Sequence, residues 1–295
     1  MEQKNATQHP QEIALSTVWQ LAQPASLTIT VVASVLGIAS AAGCGIAPDA
    51  AAALATVLLA VLFHAAANIW HACNAGSPMP APCNDPWTPC ASSGLITLGR
   101  ISLTQARQTS AAVFGLVLLA GLWLALKAGG GLLLVALGGL ALVWTYNAAP
   151  LQIGRRGWGS LSACLAWWLV VIGADYVQRR HFFLIPMVDA LSFALLVANV
   201  ALLRQARPIR WTFPVYALLA LAAHGWLLGG VWLLYHPGRA LWAMVSLPLS
   251  LVALYLLGIG ASSPPRMALA FRLTLAAVFC HALAMSAALL SLTFI

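Results

Sequence analysis

Nine long apolar runs leave this 295-residue chain a single folding medium. Each is about as long as a helix that crosses a bilayer, roughly 20 residues. They cover approximately residues 25–45, 51–74, 108–127, 129–147, 161–178, 182–203, 212–234, 239–260 and 268–293. Hydrocarbon offers no water to satisfy backbone N–H and C=O groups, so only helices or a closed barrel can cross it. The runs are continuous rather than short and alternating, which selects helices. Composition points the same way: 62% of residues are hydrophobic and 7% are charged, too little charge to cover a water-soluble surface. Runs three and four are separated only by Lys127-Ala128-Gly129-Gly130-Gly131, where the glycines and the combined length predict a tight hairpin. The expected fold class is therefore an all-α integral membrane protein with nine transmembrane helices, organised as one domain over residues 25–295.

The basic residues set the expected orientation. With the amino terminus in the cytoplasm, Lys4, Arg100, Arg107, Arg155, Arg156, Arg204, Arg207, Arg210, Arg266 and Arg272 fall on the cytoplasmic side. Lys127, Arg179, Arg180 and Arg239 fall on the other, a division of ten to four. Residues 1–24 lack the basic start and short apolar core of a signal peptide, so they are expected to remain as a cytoplasmic arm. The odd span count then places the carboxyl terminus outside, with a bacterial inner membrane as the expected location. The net charge of +8 is first a topology signal and second an attraction to anionic lipid. No basic run interleaved with aromatics lies on a soluble module, so nucleic acid is not an expected partner.

The loop at about 76–107 is the longest polar segment and is rich in Pro, Gly, Ser and Cys, which predicts a functional cap or a docking surface. Its Cys83 and Cys90 are spaced more widely than usual zinc pairs and are read as free thiols on the reducing side. Cys44, Cys73, Cys164 and Cys280 lie in or near the spans, where small polarizable side chains pack well.

Several segments, in order, resemble UbiA-type membrane prenyltransferases, most closely their menaquinone branch. Trp19-Gln20-Leu21-Ala22-Gln23-Pro24 is similar to the start of the family's first helix, with Gln23 where an Arg is common. Asn68-Ile69-Trp70-His71-Ala72-Cys73-Asn74-Ala75-Gly76-Ser77-Pro78 resembles the pattern Asn-x-x-x-Asp-x-x-x-Gly-x-Asp at the end of the second helix, with Ala72 and Pro78 at the two aspartate positions. Ser93-Gly94-Leu95-Ile96 matches a Ser-Gly-x-Ile stretch. Tyr146-Asn147-Ala148-Ala149-Pro150, followed by Gly157-Trp158-Gly159-Ser160, resembles Tyr-x-x-x-Pro…Gly-x-Gly-Glu, with Ser160 at the glutamate. Asn199 falls where the sixth helix carries Asn-Asn-x-Arg-Asp. The likeness runs from about Trp19 to Arg210. It implies a nine-helix UbiA-type bundle with a cytoplasmic cap loop.

The same likeness implies a reaction whose metal ligands are missing. The family transfers a prenyl group from its diphosphate to an aromatic ring, and Mg²⁺ held by aspartates of helices two and six neutralises the leaving diphosphate. This chain has six acidic residues: Glu2, Glu12, Asp49, Asp85, Asp175 and Asp189. In the two registers of the sixth-helix motif the aspartate positions fall on Leu202 and Ala206 or on Leu203 and Arg207. Asp85 alone lies in the expected cap, and it is a weak candidate metal ligand that also suits a turn before Pro86. The expectation is a UbiA-like protein without Mg²⁺-dependent prenyl transfer, which binds a quinone or isoprenoid lipid or serves as a membrane subunit of a complex. The alternative is a divergent aromatic prenyltransferase of the menaquinone or ubiquinone type, and Mg²⁺ is expected only then.

Asn68, His71, Asn74, Tyr146, Asn147 and Asn199 are the expected mouth of the lipid cavity. Arg204, Arg207 and Arg210 are candidates for an anionic headgroup, or simply topology signals. His64 and His71 share a helix face, and with His224 and His281 they raise a haem-bearing electron-transfer anchor as a further alternative. Their arrangement is not diagnostic, and hydrogen bonding across helices explains them as well. Trp167, Trp168, Trp226, Trp232 and Trp242 are read as interfacial anchors or packing groups.

Overall fold

The computed structural model of the protein describes residues 15–74, 93–148, 150–205, 208–260 and 263–294. Every regular element among them is helical. In order they are α1 (Leu15–Leu21), α2 (Pro24–Gly43), α3 (Ala50–Asn74), α4 (Ser93–Thr97), α5 (Leu103–Ala128), α6 (Gly131–Asn147), α7 (Gly159–Arg179), α8 (Leu184–Arg204), α9 (Ile209–Trp232), α10 (Ser246–Gly260) and α11 (Pro264–Leu290). A π-type turn at Gly154–Trp158 precedes α7, and 3₁₀ turns at Gly238–Val245 and Ser291–Phe294 precede α10 and follow α11.

Among the described residues the protein is all-α, with eight helices long and apolar enough to cross a membrane. The eight correspond to every expected run except the fourth. That run is α6, a 17-residue helix about 25 Å long, short of a full hydrocarbon core.

The centre of the bundle is α2, α7, α8 and α11. Their buried faces are rich in alanine (Ala33, Ala39, Ala174, Ala190, Ala194, Ala282), which lets backbones approach closely where no hydrophobic effect drives helices together. Phe193, Leu196, Tyr216, Leu227 and Met285 fill the space between them. The periphery is the reverse. Helix α6 buries only Asn147, and Leu119, Leu126, Leu137, Trp144, Leu221 and Trp232 point outward. Helices apolar on all sides suit lipid, where such outward leucines cost nothing.

Two expected boundaries move. Helix α5 begins at Leu103 rather than near residue 108, because Ser102 caps it. The Ser102 hydroxyl accepts from the Gln105 N–H and the Gln105 side chain accepts from the Ser102 N–H, both at 3.1 Å. The run expected at 239–260 is split, with a 3₁₀ turn before the α-helix begins at Ser246. Pro248 is tolerated only in a first turn, so the α-helix starts just ahead of it.

The polar segments are partly docked. Leu21 of α1, which belongs to the expected arm, packs with Ile69, Ala72, Leu95, Ile101 and Ala106. Thus α1, α4 and the end of α3 form a small apolar cluster at one end of the bundle. Residues 1–14 of the arm and 75–92 of the expected cap loop lie outside the described residues. The end that holds α1, α4 and the α6–α7 and α8–α9 connections is called the amino-terminal end below, and the opposite one the carboxyl-terminal end.

Candidate functional site

The polar residues of the amino-terminal end come from the last turns of α3 and α6 and the first turn of α7. The Asn147 amide nitrogen donates to the Val143 carbonyl at 2.9 Å, which fixes the orientation of the amide. Its oxygen then faces His71 Nδ1 at 2.6 Å, so that nitrogen carries the proton and donates. The His71 ring stands edge-on to Tyr146, with ring centroids 5.3 Å apart. The Tyr146 ring in turn lies against Gly154, and the Gln205 amide lies against Gly159. A Cβ at Gly154 would come within 2.7 Å of the ring, and one at Gly159 within 2.5 Å of Gln205 Nε2. Glycine at both positions therefore lets the 146–159 connection fold over the ends of α6, α7 and α8. Gln205 also reaches the Ser160 hydroxyl, 3.4 Å away.

The structure brings His71, Tyr146 and Asn147 together and sends the other nominated residues elsewhere. Asn68 donates to the Ala22 carbonyl at 2.8 Å and to the Ser26 hydroxyl at 3.0 Å, tying α3 to the start of α2. Asn74 donates to the Trp70 carbonyl of its own helix at 2.7 Å. Asn199 is fully buried in α8, and among the described residues neither of its side-chain polar atoms has a hydrogen-bond partner. Arg210 is exposed in the first turn of α9, while Arg207 and Asp85 lie outside the described residues.

Arg204, the last residue of α8, is one of the cations of this end. It is accessible rather than packed away, and its guanidinium lies 6.0 Å from the Phe271 ring centroid. It is within electrostatic reach of both Tyr146 and His64. Among the described residues it has neither a hydrogen-bond nor an ion-pair partner. His64 is held by Thr30, 2.7 Å away, and stacks edge-on with Trp167 at 5.0 Å. Among the described residues, Ser162 Oγ and Trp167 Nε1 of α7, the Asn199 amide of α8 and Gln205 Oε1 just after it are buried without a hydrogen-bond partner. Such orphaned groups are rare in folded proteins and mark places where a ligand or water completes the bonding. An apolar groove of about 310 Å³ opens between α6 and α7. It is lined by Leu142, Ile153, Trp158, Leu161, Ser162 and Leu165.

The described carboxylates lie at the other end. Asp49 caps the start of α3, Asp175 is bonded to Arg179, and Asp189 is paired with His236. Along α7, Asp175 is roughly 22 Å from Ser160, too far to share a metal with the His71–Asn147 region. Among the described residues, no group of three or more His, Cys, Asp or Glu side chains is placed to hold a metal ion. His224 and His281 approach each other, with ring centroids 6.5 Å apart, but their nitrogens already face Ser192, Ser246 and the Ala220 carbonyl. Trp168 and Trp226, expected as anchors or packing groups, donate to the Met187 and Val188 carbonyls at 2.8 and 2.9 Å and so brace the start of α8.

No protein-family model, curated protein or solved structure matches this chain. The class that fold and site define is an all-α multi-pass membrane protein with a cationic, partly unsatisfied polar region at one end of its bundle.

Two features of this region escaped sequence reasoning. The His64–Thr30–Trp167 contact joins three helices, and Ser162 lines the groove. Neither carries a local pattern, because a serine or tryptophan in an apolar run reads as packing until its neighbours are known.

Proposed function

We propose that the chain is a nine-span, UbiA-type membrane protein without Mg²⁺-dependent prenyl transfer, which binds an uncharged isoprenoid lipid of the quinone class at its amino-terminal end. Its amino-terminal end, with α1 and α4, would face the cytoplasm of a bacterium. The main support is Arg204, an accessible cation at this end with no partner among the described residues. A quinone carbonyl would give the guanidinium an acceptor without introducing a second charge. Tyr146 is within electrostatic reach of Arg204 and meets the His71 ring edge-on, and the groove between α6 and α7 would suit the tail. The loss of metal chemistry is supported by the described carboxylates, all three of which sit at the opposite end.

The test is mass spectrometry of lipids retained by protein extracted gently from its membrane. An isoprenoid quinone should be enriched at least about tenfold over bulk lipid, and Arg204→Gln should remove most of that enrichment, the loss of a charged hydrogen bond being worth about that factor. Quinone at the bulk ratio in the wild type would sink the binding reading and leave a membrane subunit as the better one.

The topology is tested separately. Single cysteines placed at the two termini of a cysteine-free variant should be labelled from opposite faces of the membrane. Labelling from one face would mean an even number of crossings and would remove the nine-span scaffold.

A further inference from the structure

The carboxyl-terminal end holds a buried network that the lipid site does not use. Asp189 sits in the second turn of α8 and is fully buried. One of its carboxylate oxygens is paired with Nδ1 of His236, and the other lies 3.4 Å from the Ser40 hydroxyl. His236 does not belong to a helix. It comes from the connection after α9, which turns through Leu234 at φ 60°, a left-handed conformation costly for a leucine. The connection thereby drives the imidazole back into the bundle, against Gly230. A Cβ at Gly230 would come within 2.0 Å of the ring, so only glycine leaves this berth open. His236 is 2% exposed, and among the described residues its Nε2 has no hydrogen-bond partner.

Around this pair every facing element is accounted for. From α7, Asp175 and Arg179 neutralise each other at 2.8 Å, and Arg179 also donates to the Ser40 carbonyl at 2.7 Å. From α2 come Ser40 and, beside Arg179, Cys44. From the 3₁₀ turn, Arg239 turns outward and donates to the Ser291 carbonyl at 2.9 Å. From α11, His281 Nε2 lies 3.0 Å from the Ser192 hydroxyl, which lies 3.2 Å from the Asp189 carbonyl oxygen. His281 Nδ1 continues to Ser246 of α10 at 3.3 Å, and Ser246 to His224 Nε2 of α9 at 3.1 Å. The chain ends where His224 Nδ1–H donates to the Ala220 carbonyl at 2.8 Å. A carbonyl accepts but cannot pass a proton on, so this chain of bonds is closed at both ends by backbone carbonyls, those of Asp189 and Ala220.

We propose that Asp189 and His236 form a proton-binding site that latches the 233–245 segment onto the bundle. With one proton between them the pair is a neutral unit: a carboxylate against an imidazolium, or an acid against an imidazole. A second proton leaves an unmatched buried imidazolium. Loss of the first leaves an unmatched buried carboxylate. Either charge is expensive away from water, and the cheapest relief is for the connection to swing His236 out of its berth. Among the described residues nothing else at this berth offers a compensating charge, since Asp175 and Arg179 are spent on each other.

The test is hydrogen–deuterium exchange of the full chain in lipid nanodiscs, corrected for the intrinsic rate, from about pH 4 to pH 9. Protection of the 233–245 amides should pass through a maximum and fall at least about tenfold on both sides of it, while α7 and α8 stay protected. Asp189→Asn should keep only the loss of protection on the acid side, where His236 alone gains a charge, and His236→Gln only the loss on the alkaline side, where Asp189 alone does. Gly230→Ala, which fills the berth without touching a titratable group, should lower protection at every pH. A wild-type profile that is flat or changes in one direction only overturns the latch. So does a two-sided profile that survives Asp189→Asn or His236→Gln. If Asp189→Asn does not fold, the wild-type and His236→Gln profiles decide the matter alone.

Discussion

Ala72→Asp should destabilise the protein by about 2–5 kcal/mol and should not create a metal site. This is the position at which the resemblance to prenyltransferases places an aspartate, so restoring it is the obvious attempt to revive an enzyme. The structure turns Ala72 the wrong way. Its side chain is 4% exposed and packs with Leu21, Leu95, Ile101 and Ala106, in the seam where α1 and α4 dock on α3. A carboxylate there would lose its hydration without gaining a cation. It would also meet no partner on α8, where Leu202 and Leu203, alternative positions for the second set of ligands, are themselves buried in the apolar core. Purified Ala72→Asp protein should unfold at lower temperature or denaturant than the wild type. It should still form no prenylated product from a prenyl diphosphate, an aromatic acceptor and Mg²⁺. Unchanged stability together with Mg²⁺-dependent turnover would overturn both the packing argument and the loss of catalysis.

Asp175→Ala should cost about 3–5 kcal/mol, because removing one member of a buried ion pair strands the other. Asp175 and the Arg179 head are 1% and 6% exposed, and the carboxylate takes a 2.8 Å bond from the guanidinium. Arg179 would keep its bond to the Ser40 carbonyl and its position 5.3 Å from the centroid of the Phe183 ring, neither of which neutralises a charge. The double substitution Asp175→Leu with Arg179→Met should be far milder than Asp175→Ala alone, since it removes both charges and keeps the volume. A double variant as unstable as the single one would mean that the bonds to α2, and not the charge balance, hold this corner.

The spans were legible in the sequence because the bilayer imposes a length and a polarity that few residues satisfy by accident. Helices α2, α3, α7 and α8 begin and end within about two residues of the expected runs, within the usual reach of such reading. Pro24 and Pro264, in the first turns of α2 and α11, are the kind of start signals a chain carries locally. So was the cap at Ser102: the spacing Ser-x-x-Gln stands in the sequence, although hydropathy alone placed the helix start later. The scarcity of carboxylates was also plain, and with it the expectation that metal chemistry is missing.

Only the tertiary structure decided which polar residues meet. Asn68 and His71 are one turn apart on α3, yet Asn68 bonds to Ala22 and Ser26 while His71 bonds to Asn147. A helix apolar on all sides has no polar face to announce which neighbour each flank will touch, so spacing on the helix does not choose between them. The same holds at the other end, where a histidine from a connection enters the bundle to meet Asp189. In a soluble protein such a residue would read as surface. Here the pairing with Asp189 offsets the cost of burying the imidazole, and that pair exists only once α2, α7, α8 and α9 have come together around it.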